Sequence, residues 1–381
     1  MEDWKVLYAS KLMTADEAVR QIPDGSRVFF GHAANEPPVL VDALVRNYEQ
    51  YKDVEIVHWV PMGKGEYCDP KMKGHLRHNA MFVGGPTRKA VQEGRADYTP
   101  FFFHQSTRFF SDGTFPIDVA MVSVTPPDKH GYVSLGVSVG GTKPACLNAK
   151  MVIAQVNDQM PRTMGESFLH VSQLTCCVEA STPLPELGGG TIGEVEEAIG
   201  RNVASLVEDG STLQLGIGTI PDAVLKFLGD KKDLGIHSEM FSDGVVELAE
   251  AGNITNQKKT LHRGQSVATF LMGTRRLYDF VDHNPDVELR PVDYVNNPFV
   301  IAQNENMVSI INAHIQRTKD VKAEMISAMQ ELALALRAAG SGTLDTAKYA
   351  GQALHMLTRG QVKVNMEVLG SEAPMRSLSI I

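Results

Sequence analysis

Apolar residues recur along this chain in two rhythms, and the two rhythms alternate. In TIGEVEEAIGRNVASLVEDGS, residues 191–211, Val195, Ala198, Ile199, Leu206 and Val207 fall at helical spacing and mark one buried face. Immediately afterwards Leu213, Leu215 and Ile217 alternate as the residues of a strand do. Residues 320–339 return to the helical period, with Met325, Ile326, Met329, Leu332 and Leu336 on one stripe and Gly340 as the stop. Strand, loop, helix and strand in alternation predict an α/β architecture with a largely parallel sheet.

The pattern is written twice. TADEAVRQIPDGSRVFFGHAANEPPVLVDAL (14–44) and TIGEVEEAIGRNVASLVEDGSTLQLGIGTIPDAVLKFL (191–228) share an ordered set of signals. Each opens with a Thr-x-x-Glu box, Thr14 with Glu17 and Thr191 with Glu194, which satisfies orphan amides at a helix start. Each helix stops at Asp-Gly-Ser, residues 24–26 and 209–211, where glycine tolerates positive φ. A strand follows, then a glycine seven residues after the aspartate, Gly31 or Gly216, and a helix led by Pro37 or Pro221. Lys52-Asp53-Val54 and Lys232-Asp233-Leu234 open one further strand in each copy, and on this register Glu239 stands where the first copy has Trp59. Two similar α/β domains facing a cleft are therefore expected. A boundary is expected in the Pro- and Gly-rich stretch 181–190, giving domains 1–185 and 186–312 and an atypical C-terminal segment 313–381 with a helix at 320–339.

Composition narrows the partners. A length of 381 residues with 43% apolar residues suffices for real cores. A net charge of −9 argues against a nucleic-acid partner, since phosphate backbones need a basic surface. No apolar run reaches the roughly 18 residues of a spanning helix, and MEDWKVLYASKL shows no basic-then-apolar leader, so no membrane partner and a cytoplasmic location are expected. The four cysteines, Cys68, Cys146, Cys176 and Cys177, have no C-x-x-C spacing and read as reduced thiols. The twelve histidines form no H-E-x-x-H and no pairing with cysteine at zinc spacing, so no metal site is expected.

Parallel α/β sheets place chemistry at the carboxyl ends of their strands. Three candidates sit at such ends. The Gly216-Ile217-Gly218 loop with Thr219 and Ile220 precedes a helix whose amides suit an anion, yet it lacks the third glycine of a dinucleotide fingerprint and the lysine of a P-loop. Gly84-Gly85-Pro86 opens a helix carrying Arg88 and Lys89, and Lys64 lies between glycines in MGKGEY; an anionic ligand and a solvated surface explain these cations equally. In GIHSEMFSDG (235–244), Glu239 ends a strand. As a nucleophile it must be ionised, only partly solvated and close to oxyanion donors; activation of water is the other role open to it. His104, after three phenylalanines, reads as packed core.

Longer stretches carry a resemblance. FGHAANEPPVLVDALV, EIVHWVPMGKGEYC, FVGGPTRKAVQEGRADYTP, SVTPPDKHGYVSLGVSV, IAQVNDQMPRT, LGIGTIPDAVL, GIHSEMFSDGVVELAEAGNITN and YVNNPFVIAQNENMVSI are similar to the family I coenzyme A-transferases. The branch is that of the 4-hydroxybutyrate, butyryl and acetate CoA-transferases and the related acetyl-CoA hydrolases. The resemblance runs to about Asn312; HQSTRFF (104–110) and SVGGT (138–142) depart from the pattern, and residues 313–381 find no counterpart.

It implies a CoA-transferase/NagB-like fold and Glu239 as the residue that attacks the thioester. It also implies that Gly216 to Ile220 contact coenzyme A. Acyl-CoA and a short-chain carboxylate would be the substrates, with no permanently bound cofactor, in a homodimer or homotetramer. The reaction implied is ping-pong, through an acyl-glutamyl anhydride and a glutamyl-CoA thioester. Hydrolysis of the same thioester is the alternative, as is an impaired CoA-binding relative lacking the usual C-terminal segment.

Overall fold

In the computed structural model, which describes residues 3–310, the continuous apolar runs become the middle of a seven-stranded parallel sheet. Its strands are β1 (Arg27–Phe30), β2 (Val54–His58), β3 (Leu76–Ala80), β4 (Asp97–Tyr98), β5 (Val119–Val124), β6 (Met151–Val156) and β7 (Cys176–Glu179), in spatial order β7-β6-β5-β1-β2-β3-β4. Every residue of β5 is buried, as expected for a parallel strand covered on both faces. The core above and below it is built from Val28, Phe30, Leu40, Leu44, Ile56 and Met121 on one side and Phe29, Val57, Trp59 and Phe110 on the other. These strands belong to a first compact unit, Met1–Leu187 together with Thr269–Asp293. The return of residues 269–293 to this unit is a tertiary event that a linear division at residue 186 does not contain.

The second unit comprises Gly188–Ala268 and, among the described residues, 294–310. Its sheet has β8 (Thr212–Leu215) in the centre, with β9 (Gly235–Ile236) on one side and β10 (Met307–Ile310) on the other, all parallel. The helix Glu194–Ala204 packs on the helix Thr219–Lys226 at Gly200, where a Cβ would meet the backbone of Ala223 at 2.8 Å. Helix propensity alone favours Gly200→Ala by about 1 kcal/mol. Overpacking against backbone, which cannot swing aside, outweighs it. Gly200→Ala is therefore expected to destabilise the protein by roughly 1–2 kcal/mol in urea unfolding.

The internal repeat is visible atom by atom. Asp24 accepts the Lys52 amide at 2.8 Å, and Asp209 accepts the Lys232 amide at 2.8 Å. Gly25 (φ +69°) and Gly210 (φ +77°) donate in turn to the carbonyls of Lys52 and Lys232. Asp53 and Asp233 both adopt positive φ, which aspartate tolerates better than most residues. Strand register agrees as well: Arg27 pairs with Glu55 and Thr212 with Gly235. Gly31 donates to the Met121 carbonyl within β5, and Gly216 to the Ile310 carbonyl at the end of β10. Each unit thus contains the same three-stranded heart.

Three expectations need correction. The two helices end at Val19 and Ala204, capped by Arg20 and Ser205, before the chain reaches the Asp-Gly-Ser turns, so Gly25 and Gly210 serve the turn into the strand and not the helix stop. Thr14 and Glu17 form the reciprocal box, but Thr191 and Glu194 do not. The second helix begins at Glu194 with Gly193 as its cap, and Glu196 accepts the Gly193 amide at 3.1 Å. Three carboxylates crowd that first turn, so the one placed three residues after the cap takes the role wherever the cap falls. Pro37 caps a helix running Pro38–Arg46, whereas Pro221 is the third residue of Thr219–Lys226. The expected helix 320–339 and its stop Gly340 lie outside the described residues.

Candidate active site

Glu239 follows β9 through two residues that point opposite ways. His237 and Ser238 are fully buried and Glu239 is half-buried. Extended backbone sends alternate side chains to opposite faces. Ser238 faces β8: its Oγ accepts the Leu215 amide at 2.9 Å and donates to the Leu215 carbonyl at 3.1 Å. Leu215 immediately precedes Gly216, so this one hydroxyl ties the carboxylate-bearing segment to the start of the glycine loop. His237 and Glu239 share the other face and meet the turn after the helix Val292–Val295. There the His237 ring bonds the Val295 carbonyl at 3.0 Å, and the Asn296 amide Nδ2 donates to Glu239 Oε2.

Backbone bonds fix the segment from beneath. The His237 amide donates to Leu213, and the Ser238 amide to Val267, each at 3.0 Å. Asn256 accepts the Ile236 amide at 3.0 Å, and the buried Lys259 ammonium donates to the Ile236 carbonyl at 2.7 Å. A buried lysine is uncommon and here its charge is spread over carbonyl oxygens, the second being that of Gln265. Sequence reasoning missed Asn296 and Lys259. Their signal was weak, because each lies far along the chain from Glu239 in a polar stretch that reads as loop.

Burial pushes the Glu239 carboxyl from its ordinary 4.5 up to about 7, and donation from Asn296 works in the opposite direction. The carboxylate is therefore poorly solvated yet largely ionised at slightly alkaline pH, as a carboxylate nucleophile requires. That arrangement costs stability. Below pH 4.5 both folded and unfolded chains hold the proton; between pH 4.5 and 7 the unfolded chain ionises first, and folding loses free energy. Above pH 7 the loss is constant. Glu239→Gln, which keeps an acceptor for Asn296, is expected to be more stable by about 1–3 kcal/mol at pH 8 and no more stable at pH 4. Melting temperatures of both proteins at the two pH values check this.

The other sequence candidates fall on solvated surfaces or in packing. Gly84 caps the helix Gly85–Gln92, on which Arg88 and Lys89 are exposed and Lys89 pairs with Glu93 at 3.8 Å. Lys64 bridges Asp42 and Glu66. His104 is half-buried in a single 3₁₀ turn, Phe103–Gln105. In the glycine loop Gly216 and Gly218 are half-buried, Ile217 is exposed, and Gly218 holds φ +128°, which a side chain would oppose. Thr219 and Ile220 begin the helix behind it. A pocket of about 610 Å³ lies in the first unit between Thr125–Asp128, Asp158–Arg162 and the helix Arg275–Val281. Within it Arg162 pairs with Asp128 and Arg275 with Asp279. Among the described residues no group of His, Cys, Asp and Glu is placed to hold a metal, and no helix is long and apolar enough to cross a membrane.

A duplicated α/β unit with a poised glutamate after its second β-strand is accompanied by extensive similarity to known proteins. The model of the acetyl-CoA hydrolase/transferase N-terminal domain matches residues 2–217, and that of the C-terminal domain matches residues 273–335. The chain belongs to the acetyl-CoA hydrolase/transferase family. The C-terminal match passes Asn312, where the sequence reading ended the resemblance, so part of the segment beyond has a family counterpart.

A 4-hydroxybutyrate coenzyme A transferase of Clostridium kluyveri is 60% identical over 81% of this chain and 72% of its own length. A succinyl-CoA:acetate/propanoyl-CoA:succinate CoA transferase of Fasciola hepatica is 46% identical over 77% of this chain, and there the match spans 62% of the relative. Among solved structures, RipA from Yersinia pestis superposes with a TM-score of 0.80 at 35% identity, covering 89% of this chain and 81% of that one. The 4-hydroxybutyrate CoA-transferase of Porphyromonas gingivalis gives 0.73 at 42%, covering 81% and 74%. Family membership makes this chain an enzyme of the CoA-transferase type. Its fold is that of the CoA-transferase structures.

Proposed function

We propose that this protein transfers coenzyme A between a short-chain acyl-CoA and a free carboxylate of the acetate, butyrate or 4-hydroxybutyrate kind, with Glu239 as the nucleophile. The observation that carries the reading is a half-buried carboxylate beyond a strand's carboxyl end, accepting from the Asn296 amide beside a glycine loop. Glu239 attacks the acyl carbon and the C–S bond breaks, giving an acyl-glutamyl anhydride and CoA thiolate. The thiolate then attacks the glutamyl carbonyl and expels the first acid, leaving a glutamyl-CoA thioester. A second carboxylate enters by the reverse of these steps. The anhydride survives only if water is kept away, which suits the poor solvation of Glu239.

Gly216, Ile217, Gly218, Thr219 and Ile220 are the contacts proposed for coenzyme A, which acts as substrate rather than as a resident cofactor. The glycines let the ligand approach the backbone, and the helix start supplies amides for an anionic group. Remote contacts with the CoA chain would supply binding energy for the acyl-transfer step. A homo-oligomer in the cytoplasm completes the reading; the four cysteines are all free and buried, in keeping with a reducing compartment.

The test is direct. Incubation with butyryl-CoA without acceptor, digestion and mass spectrometry should find CoA on the peptide bearing Glu239, and borohydride should trap it with loss of activity. An unmodified peptide in protein that exchanges acyl groups would overturn the assignment. Competition between acetate and water as acceptors separates transfer from hydrolysis, and CoA binding without exchange would mark an impaired relative.

A further inference from the structure

A histidine two residues before the nucleophile invites a role in proton transfer, yet the proposed chemistry moves no proton. At each step one anion attacks and another leaves, so the negative charge passes from nucleophile to leaving group without a proton. The geometry gives His237 other work. The ring is fully buried, and its Nε2 lies 3.0 Å from the carbonyl oxygen of Val295. A carbonyl oxygen only accepts, so Nε2 must carry the hydrogen and donate it. That carbonyl belongs to the peptide joining Val295 to Asn296, whose side-chain amide donates to Glu239. Asn296 is itself buried and sits where a four-residue helix, Val292–Val295, has just ended. So short a helix supplies little rigidity of its own.

We propose that His237 is a positioning residue: its hydrogen bond to the Val295 carbonyl fixes the peptide that carries Asn296, and through Asn296 the carboxylate of Glu239. The relay starts and ends within three residues of one strand end, so a shift of the 295–296 turn is read directly at the nucleophile. Misplacing a reacting group by about 1 Å is enough to cost roughly 100-fold in rate. The proposal rests on Glu239 being the nucleophile.

The test compares His237→Met, which fills the site without a donor, with His237→Gln, whose Nε2 can still reach the carbonyl. The Met variant should lose about 10- to 100-fold in kcat with KM for acyl-CoA within about twofold. The Gln variant should recover most of that loss. In an Asn296→Ala background the Met substitution should have no further effect, since the relay is already cut. Equal activity of Met and Gln variants, or additive losses in the double mutant, would overturn the proposal. Should the Met variant fail to fold, His237→Asn, whose amide stops short of the Val295 oxygen, takes its place in the same comparison. A wild-type protein that exchanges acyl groups without a CoA adduct at Glu239 would instead refute the nucleophile, whatever the His237 variants do.

Discussion

Glu239→Ala should abolish acyl exchange between coenzyme A and free carboxylates, with a fall in kcat of about 10⁴-fold or more, as for other enzymes that lose a covalent nucleophile. The side chain is half-buried and alanine removes its burial cost along with its charge, so the variant is expected to remain folded. No other carboxylate stands at the equivalent position of the duplicated unit to replace it: Trp59 occupies that place. Exchange of label between acetyl-CoA and acetate measures the loss, with circular dichroism as the control for folding. Activity within tenfold of the unaltered protein would refute covalent catalysis at this residue.

Asn296→Ala should produce the second largest effect. It deletes the amide that donates to Glu239 Oε2 and so removes a contribution that opposes burial, moving the carboxyl above its present value of about 7. Because the ionised form attacks in the proposed mechanism, activity should fall as the pH drops through that value, and the fall should begin at a higher pH in the variant. At pH 7 two losses add: fewer molecules are ionised, and those that are have lost their orientation. Together about 10²- to 10³-fold is expected in kcat, the usual cost of removing one fixed donor from a catalytic centre. Rates measured from pH 6 to 9 check both parts. An unshifted acid limb would show that Asn296 does not bear on the ionisation of Glu239.

The residues around Glu239 show how a repeat becomes a site. Lys52 and Lys232 open matching strands through the same aspartate clasp, and Trp59 and Glu239 both stand seven residues beyond their lysine. In the first unit the position is filled by an indole packed among Phe29, Phe103 and Phe110. In the second it holds a carboxylate that accepts from the Asn296 side-chain amide. The same backbone therefore carries a packing residue in one copy and the proposed nucleophile in the other. Ser238 similarly stands at the place of His58; the serine bonds Leu215, whereas the His58 ring bonds the Gly31 carbonyl at 3.1 Å. In both copies the residue before the key position secures the strand next door.

What the sequence determined alone was local and periodic. Alternating apolar residues and paired Asp-Gly-Ser turns are signals spread over a few residues, and they placed the strands, the repeat and Glu239 after a strand. Where several residues compete for one local role, as at the start of the helix Glu194–Ala204, periodicity did not choose among them. Tertiary structure decided everything that required distant segments to meet. Asn296 lies 57 positions from Glu239, and Lys259 lies 23 from the carbonyl it holds, so neither partnership leaves a mark in local pattern. The return of Thr269–Asp293 to the first unit is of the same kind. A hydrogen bond depends on a distance of about 3 Å in space, and sequence separation says almost nothing about that distance once the chain has folded.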